Sequence, residues 1–276
     1  MPRRLRLDAE LVRRGLARSR EHAGELVAAG RVTVAGTTAT KAATGVGTDV
    51  AIVVAQDSER PDYVSRGGHK LAGALTAFTA LTVAGRRCLD AGASTGGFTD
   101  VLLRHGAREV VAVDVGYGQL AWSIRQDSRV RVLERTNIRT LDSDLIGGPV
   151  DLVVGDLSFI SLTLVLEPLL AVTRPDGDLV LMVKPQFEVG KDRVGKGGVV
   201  RDPELRAEAV TQVADTAAGL GWAACDVAVS PLPGPAGNVE FFLWLRRGAT
   251  PLAPARIRDE VRRSADAGGP DEKVSP

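Results

Sequence analysis

Two of only six lysines in this chain stand at the ends of apolar runs: Lys184 in Leu181-Met182-Val183-Lys184-Pro185, and Lys70 in Ser65-Arg66-Gly67-Gly68-His69-Lys70-Leu71. Asp156 closes Val153-Val154-Gly155-Asp156, and Glu240 begins Asn238-Val239-Glu240-Phe241-Phe242. A lysine beside an apolar run is costly to bury unless it is paired or put to use. Two amines and two carboxylates gathered at one sheet edge can take a proton from a hydroxyl and compensate the charge that results. A second constellation lies upstream, in Leu89-Asp90-Ala91-Gly92-Ala93-Ser94-Thr95-Gly96-Gly97-Phe98. Glycines there remove the Cβ atoms that would hold a ligand away from the backbone, and the helix that follows offers N–H donors. The spacing G-x-x-x-G-G replaces the second glycine of a dinucleotide fingerprint with Ser94, which argues against a nicotinamide-dependent oxidoreductase. Asp114, 24 residues after Asp90, is placed to accept from two ribose hydroxyls, and Asn137 to reach an adenine edge. Acid, glycine bend, acid and amide fit S-adenosylmethionine, with Asp90, Gly92, Ser94, Gly96, Gly97, Phe98, Asp114, Asn137 and Asp156 as its expected contacts.

The elements that must position these residues are legible as apolar runs: Cys88 to Ala91, Val110 to Val115, Val130 to Leu133, Val150 to Val154 and Leu179 to Val183, alternating with helix-compatible sequence. That order predicts a parallel sheet wrapped by helices, whose ligands bind outside the carboxyl ends of the strands. A helix over about 203–220 follows. Ala223 to Val229 and Val239 to Leu245, separated by PLPGPAGN, predict an antiparallel hairpin at the sheet edge and bring the strand count to seven. In this sheet strands one, four, five and the last are neighbours, so Asp156 and Lys184 project beside the glycine bend and Glu240 reaches the same edge. Upstream, Leu7, Leu11 and Val12 predict one short helix, and Ser19 caps a second that buries Ala23, Leu26 and Val27 before Gly30. Strands near 31–34 and 50–54 complete a small α+β domain. The expected division is a domain over 1–55, a linker over 56–64, a Rossmann-like α/β domain over 65–248 and a flexible tail over 249–276.

With 276 residues and 44% of them hydrophobic, a disordered or fibrous chain is excluded. The net charge of +1 hides an asymmetry: residues 1–47 carry nine Lys and Arg against four Asp and Glu, whereas residues 48–248 carry 21 against 25. Arg3, Arg4, Arg6, Arg13, Arg14, Arg18 and Arg20 cluster at the N-terminus and are the expected phosphate contacts of an RNA. The longest apolar stretches are interrupted, as by Glu167 and Pro168, well short of a bilayer span. The N-terminus lacks the apolar run of a secretory signal, two cysteines offer no disulfide framework, and the cytoplasm is the expected compartment. His22, His69 and His105 are too scattered to ligate a metal, and none is expected.

Lys70, Asp156, Lys184 and Glu240 match, in order and context, the K-D-K-E tetrad of FtsJ-type RNA ribose 2'-O-methyltransferases, and DAGASTGGFTD resembles that family's cofactor motif. RLDAELVRRGLARSREHAGELVAAGRVTVAG resembles the RNA-binding module named after small-subunit ribosomal protein four. The two joined resemble the TlyA, or hemolysin A, family over residues 3 to about 247, including SRGGHKL, GDLSFISL and KPQFEVGK. The resemblance implies a seven-stranded methyltransferase sheet and transfer of the methyl group of S-adenosylmethionine to the 2'-hydroxyl of a cytidine in ribosomal RNA. The basic start MPRRLRLDAE resembles the members that act on both subunit RNAs. Lys184 is the expected proton acceptor, which requires its neutral form. Asp156 and Glu240 are expected to orient the two lysines, and Lys70 to stabilise charge on oxygen. Phe159 has two readings, a stacking platform for a base or a core residue, and so has the glycine-rich basic loop 186–202, a lid or a long surface connection. Ribosomal RNA or ribosomal subunits are the implied partners, without stable membrane association. The rival readings are a membrane-active hemolysin, which needs an insertion segment, and a non-catalytic ribosome-binding factor, which needs an incomplete tetrad.

Overall fold

The computed structural model describes residues 4–17, 19–55 and 61–266, which divide into two compact units, Met1–Asp62 and Tyr63–Pro276. Most of the expected linker, residues 56–60, lies outside the described residues.

The first unit runs β1 (Arg4–Arg6), α1 (Leu7–Arg13), α2 (Arg20–Ala28), β2 (Val32–Val34), β3 (Thr37–Thr38), β4 (Gly45–Gly47) and β5 (Ile52–Val54). Ser19 caps α2 as its sequence predicts, its hydroxyl accepting from the His22 N–H at 3.1 Å. Leu7 and Leu11 of α1 and Ala23, Leu26 and Val27 of α2 close on Val32 and Val46 to form a small core. Two small sheets surround it, β1 with β4 and β3-β2-β5. Strands β1, β3 and β4 span only two or three residues, too few for a period of two to show in the sequence.

The second unit begins with α3 (Arg66–Ala77), β6 (Arg87–Ala91), α4 (Gly97–Arg104), β7 (Glu109–Val113), α5 (Trp122–Arg125), β8 (Val130–Leu133), α6 (Ser143–Ile146) and β9 (Val150–Gly155). It continues with α7 (Leu166–Ala171), β10 (Thr173–Val183), α8 (Pro185–Glu188), α9 (Pro203–Gly219), β11 (Trp222–Val229), β12 (Phe241–Arg247) and α10 (Pro254–Asp266). The seven strands lie in the order β11-β12-β10-β9-β6-β7-β8, with β12 antiparallel to both neighbours and the other pairs parallel. Strands one, four, five and the last are thus consecutive in the sheet, as the sequence predicts.

Alternation along each strand sorts the core into two layers. Leu89, Val111, Val153, Leu181 and Leu243 face Val210 and Val213 of α9 and Ile257 and Val261 of α10. Cys88, Val110, Val154, Met182 and Phe242 face Leu71, Ala74 and Phe78 of α3 and Phe98 and Leu102 of α4. Each large apolar side chain fully withdrawn from water contributes about 1.5–3 kcal/mol before chain entropy is counted. The free thiol of Cys88 lies in this second layer, where burial pushes it up to about 12 and leaves it inert.

Residues 254–266, expected within a flexible tail, are helical. Ile257 and Val261 recur at i, i+4 and enter the core, and Glu260 accepts the edge-strand N–H of Val229 at 3.0 Å. Abundant proline and balanced charge disguised this two-residue stripe. The remainder of the tail, residues 267–276, lies outside the described residues.

Helices α3 and α4 approach through glycines. A Cβ on Gly97 would fall 2.8 Å from the backbone nitrogen of Gly68 and against the Ser65 hydroxyl, and one on Gly68 would enter the Tyr63 side chain. This contact sets the height of α3, and therefore of Lys70, above the sheet. Gly97→Ala should cost about 1–3 kcal/mol, as overpacking does where backbone cannot yield. A lowered urea midpoint with an unchanged slope would report it.

Candidate active site

Strand β6 ends at Ala91, and the chain turns at Gly92 with φ of 84°. A Cβ there would lie 2.9 Å from the Asp156 carbonyl and 3.1 Å from the Leu157 side chain, so only glycine lets the β6 and β9 exits lie side by side. Ser94 follows in the left-handed region (φ 47°), and its N–H donates to Asp114 Oδ2 at 2.7 Å. Asp114 Oδ1 accepts from the Gly116 N–H at 2.6 Å, so the carboxylate at the end of β7 is held by backbone on both oxygens. Asn137 accepts the Arg139 N–H through Oδ1 at 3.0 Å, which orients its amide.

These groups line a cavity of about 560 Å³ together with Val115, Gln119, Ile138, Arg139 and the run Asp156 to Ile160. Its size suits a small-molecule ligand. A comparable concavity of about 620 Å³ beside α9 is bounded by exposed faces of Glu204, Glu208, Asp215 and Arg258 and holds none of the tetrad.

The tetrad is assembled in two pairs. Lys70 Nζ lies 2.5 Å from Glu240 Oε2, both side chains buried. Lys184 Nζ lies 2.6 Å from Asp156 Oδ1 and donates to Ser158 Oγ at 2.7 Å. The contact to Asp156 is an ion pair without hydrogen-bond alignment, and Oδ1 has no other hydrogen-bond partner. The pairs meet through sheet register: Val183 opposes Phe241 in the antiparallel ladder, so Lys184 and Glu240 occupy the next opposed position. Gly234 packs on Glu240, where a Cβ would fall 2.6 Å from Oε1.

Several expected cofactor residues stand elsewhere. Gly92, Ser94, Asp114, Asn137 and Asp156 line the cavity, whereas Asp90, Gly96, Gly97 and Phe98 do not. Phe98 is buried against Phe242, with ring centroids 5.9 Å apart. Gly96 holds φ of 94° under Leu120 and Ile124, and Gly97 serves the α3–α4 contact. Asp90 is fully buried; Oδ2 accepts from the Thr99 hydroxyl at 2.7 Å and Oδ1 is unpartnered. Burial pushes its carboxyl up to about 7 against the Thr99 hydrogen bond, and the charges of Asp156 and Asp114 push the same way. Lys70 and Lys184 are not among the lining residues, but Lys184 touches two that are, Asp156 and Ser158.

Residues that no sequence pattern singles out also matter. Ser158 is one hydroxyl among many in the sequence. Glu188, buried without a cation, accepts from the Ser161 hydroxyl at 2.5 Å and the Leu162 N–H at 2.9 Å. Phe159 is exposed with φ of 63°, beside Phe187 at 5.3 Å. The loop after Lys184, read from sequence as a lid or a long surface connection, is pinned where Asn238 Oδ1 accepts the Val200 N–H at 2.9 Å and Arg206 Nε donates to the Val200 carbonyl at 2.9 Å.

Residues 63–247 match the model of the FtsJ-like methyltransferase family, and residues 5–52 match the S4 domain. The chain belongs to the TlyA family of FtsJ-like methyltransferases. It is 61% identical over 97% of its length to all of the 16S/23S rRNA (cytidine-2'-O)-methyltransferase TlyA of Mycobacterium tuberculosis. It is 36% identical over 86% of its length to 98% of hemolysin A of Brachyspira hyodysenteriae. The solved structure of a protein named as a hemolysin, from Streptococcus thermophilus, superposes with a TM-score of 0.73 at 37% identity, covering 96% of this chain and 97% of that one. All the residues that line the cavity fall within the FtsJ-like match. Among the described residues no helix is long and apolar enough to cross a membrane, and no cluster of His, Cys, Asp and Glu could hold a metal ion.

In the S4 domain the arginines divide. Arg3 and Arg18 lie outside the described residues, and Arg4 is exposed on β1. Arg6 and Arg20 pair with Asp8, and Arg13 with Glu10, while their side chains stay more than half exposed. Arg14 is different: it bonds Glu10 at 2.7 Å and the Val50 and Thr48 carbonyls at 2.7 and 2.9 Å, with only 21% of its side chain exposed. It is a structural clasp and not the phosphate contact its sequence position suggested. These arginines hold the Glu10 carboxyl down at about 2.

Because Asp90 is held protonated by burial, the stability it confers is present at acid pH and lost as pH rises from the ordinary carboxylate range through about 7. Asp90→Asn keeps an acceptor for Thr99 and removes that loss. Its urea midpoint relative to the parent should therefore rise between about pH 4 and 7 and level off above, which denaturation at a series of pH values would measure.

Proposed function

We propose that this chain transfers the methyl group of S-adenosylmethionine to the ribose 2'-hydroxyl of cytidine in ribosomal RNA, of both the small and the large subunit, in the cytoplasm. The observation that carries the reading is the 2.6 Å Lys184–Asp156 pair at the wall of the cavity that Gly92, Asp114 and Asn137 line. The relative that acts on cytidine in both RNAs, similar over nearly the whole chain, supports the substrate.

The residues present fit the cofactor. Asp114 has lone pairs left for ribose hydroxyls, Asn137 has an oriented amide for adenine, and Gly92 leaves room beside the backbone. Asp156 on the wall, with Asp114 lining the same cavity, presents carboxylates suited to a cationic ligand. When bound, S-adenosylmethionine supplies an electrophilic methyl group on a positively charged sulfur.

A 2'-hydroxyl is a poor nucleophile while it keeps its proton, so the site must align the oxygen and remove that proton as the new bond forms. Lys184, once it has released to solvent the proton it holds in its pair with Asp156, accepts this one, and the ammonium re-formed is stabilised by Asp156 beside it. Lys70 is paired with Glu240 and so fixes that carboxylate opposite Lys184 in the ladder. Phe159, exposed on the rim, offers a face on which the target base can stack. In the S4 domain, Arg4, Arg6, Arg13 and Arg20 offer exposed guanidinium groups to phosphates.

Lys184→Ala and Lys184→Arg should each reduce transfer by at least about a hundredfold, the scale of a lost general base, while binding of S-adenosylhomocysteine by calorimetry stays within a few-fold. Mapping of 2'-O-methyl marks on both ribosomal RNAs, in cells with and without the gene, tests the substrate. Arg4→Ala should weaken RNA binding and reduce the slope of log affinity against log salt by about one, whereas Arg14→Ala should lower the melting temperature of the S4 domain. Salt-dependent filter binding and thermal unfolding distinguish the two effects.

A further inference from the structure

The proposed proton acceptor, Lys184, is 8% exposed and is not among the residues that line the cavity. Two residues that line the cavity touch Lys184 Nζ, Asp156 through Oδ1 at 2.6 Å and Ser158 through its hydroxyl at 2.7 Å, and of these the serine carries a proton it can pass on. We infer that Ser158 relays the proton from the ribose 2'-hydroxyl to Lys184, an inference that rests on the methyl-transfer reading above.

The chemistry balances. The 2'-O–H bond breaks and its proton moves to Ser158 Oγ, while the Ser158 hydroxyl proton moves to Lys184 Nζ. The 2'-oxygen forms its bond to the methyl carbon as the carbon–sulfur bond breaks, its electron pair staying on sulfur. The serine ends neutral, and the ammonium lies against Asp156. No oxidant or further reactant is needed.

A relay requires a hydroxyl that does not wander, and five contacts made by the residues around Ser158 hold its segment in place. Before it in sequence, Asp156 is bound to Lys184 and its N–H donates to the Ala91 carbonyl at 3.0 Å. Beyond it, the buried Glu188 ties down Ser161 and the Leu162 N–H. Phe159, next in the chain, is held in the left-handed region against Phe187. The segment leaving β9 is therefore stitched to the segment leaving β10 on both sides of Ser158, which restricts its Oγ to the space between amine and cavity.

The test compares Ser158→Ala, Ser158→Thr and Lys184→Ala in the full chain, with single-turnover methyl transfer to ribosomal RNA and calorimetry with S-adenosylhomocysteine. Ser158→Ala should lose about a hundredfold or more in the transfer rate with cofactor affinity within a few-fold, and Ser158→Thr should recover most of it. In mixtures of light and heavy water the parent rate should curve with deuterium fraction, as two protons in flight require. Transfer by Ser158→Ala within about threefold of the parent, or a linear dependence on deuterium fraction in the parent, overturns the relay. So does equal loss in the Ala and Thr variants accompanied by weakened cofactor binding, which is the signature of packing. If Lys184→Ala is inactive and Ser158→Ala active, the relay alone falls. A parent protein that yields no 2'-O-methylcytidine overturns the methyl-transfer reading itself.

Discussion

Four ionisable side chains share the carboxyl end of a largely apolar sheet, where they are held as two close pairs. Lys70 and Glu240 are both buried, and Lys184 is nearly so beside a partly open Asp156. The Coulomb energy of such a pair rarely exceeds the cost of dehydrating it by much, but removing one partner leaves an uncompensated charge in place. Each residue is therefore constrained by the others, and the elements that carry them are constrained in turn. Lys70 comes from α3, Asp156 from β9, Lys184 from β10 and Glu240 from the start of β12. The antiparallel insertion of β12 between β10 and β11 brings Glu240 to the same edge as a lysine that ends a parallel strand.

Close approach at four glycines, in three contacts, allows the pairs to form. Gly92 lets the exits of β6 and β9 run side by side, Gly97 and Gly68 let α4 and α3 touch near their N-termini, and Gly234 lets its loop lie on Glu240. All three contacts join elements of the fold to one another. The glycine-rich bend is in this respect more a packing device than a cradle: only Gly92 of its three glycines borders the cavity.

That distinction marks the limit of what the sequence reveals. The sheet order and the tetrad were legible because buried parallel strands read as apolar runs, and because a lysine or acid at the end of such a run is expensive without a reason. The cofactor motif was legible as a whole but not residue by residue. Gly96, Gly97 and Phe98 fall within it by spacing, yet whether a glycine faces a ligand or a neighbouring helix depends on tertiary approach, which no local pattern encodes. The same holds for Arg14, whose type suggests phosphate and whose partners are two carbonyls and a carboxylate. Ser158 lies within GDLSFISL but nothing in that motif singles it out, since the role inferred for it comes from its distance to an amine 26 residues away. Helix α10 was hidden because a two-residue apolar stripe within a charged, proline-containing stretch falls below what periodicity can register.

The charge distribution resolves a conflict built into the chemistry. A cationic cofactor calls for carboxylates, and Asp90, Asp114 and Asp156 cluster closely enough that their mutual repulsion helps hold Asp90 protonated near neutral pH. A polyanionic RNA would be repelled by the same carboxylates. The chain separates the two demands in sequence and in depth. Its basic excess sits in residues 1–47, where Asp8 and Glu10 pair with the arginines without hiding most of them. In the FtsJ-like domain Asp90 is fully buried and Asp156 is bound to Lys184, so neither meets a phosphate as a bare charge, while Arg139 lies on the cavity wall. The ribose is then the only part of the RNA that must come near the carboxylates, and it carries no charge of its own until its proton departs.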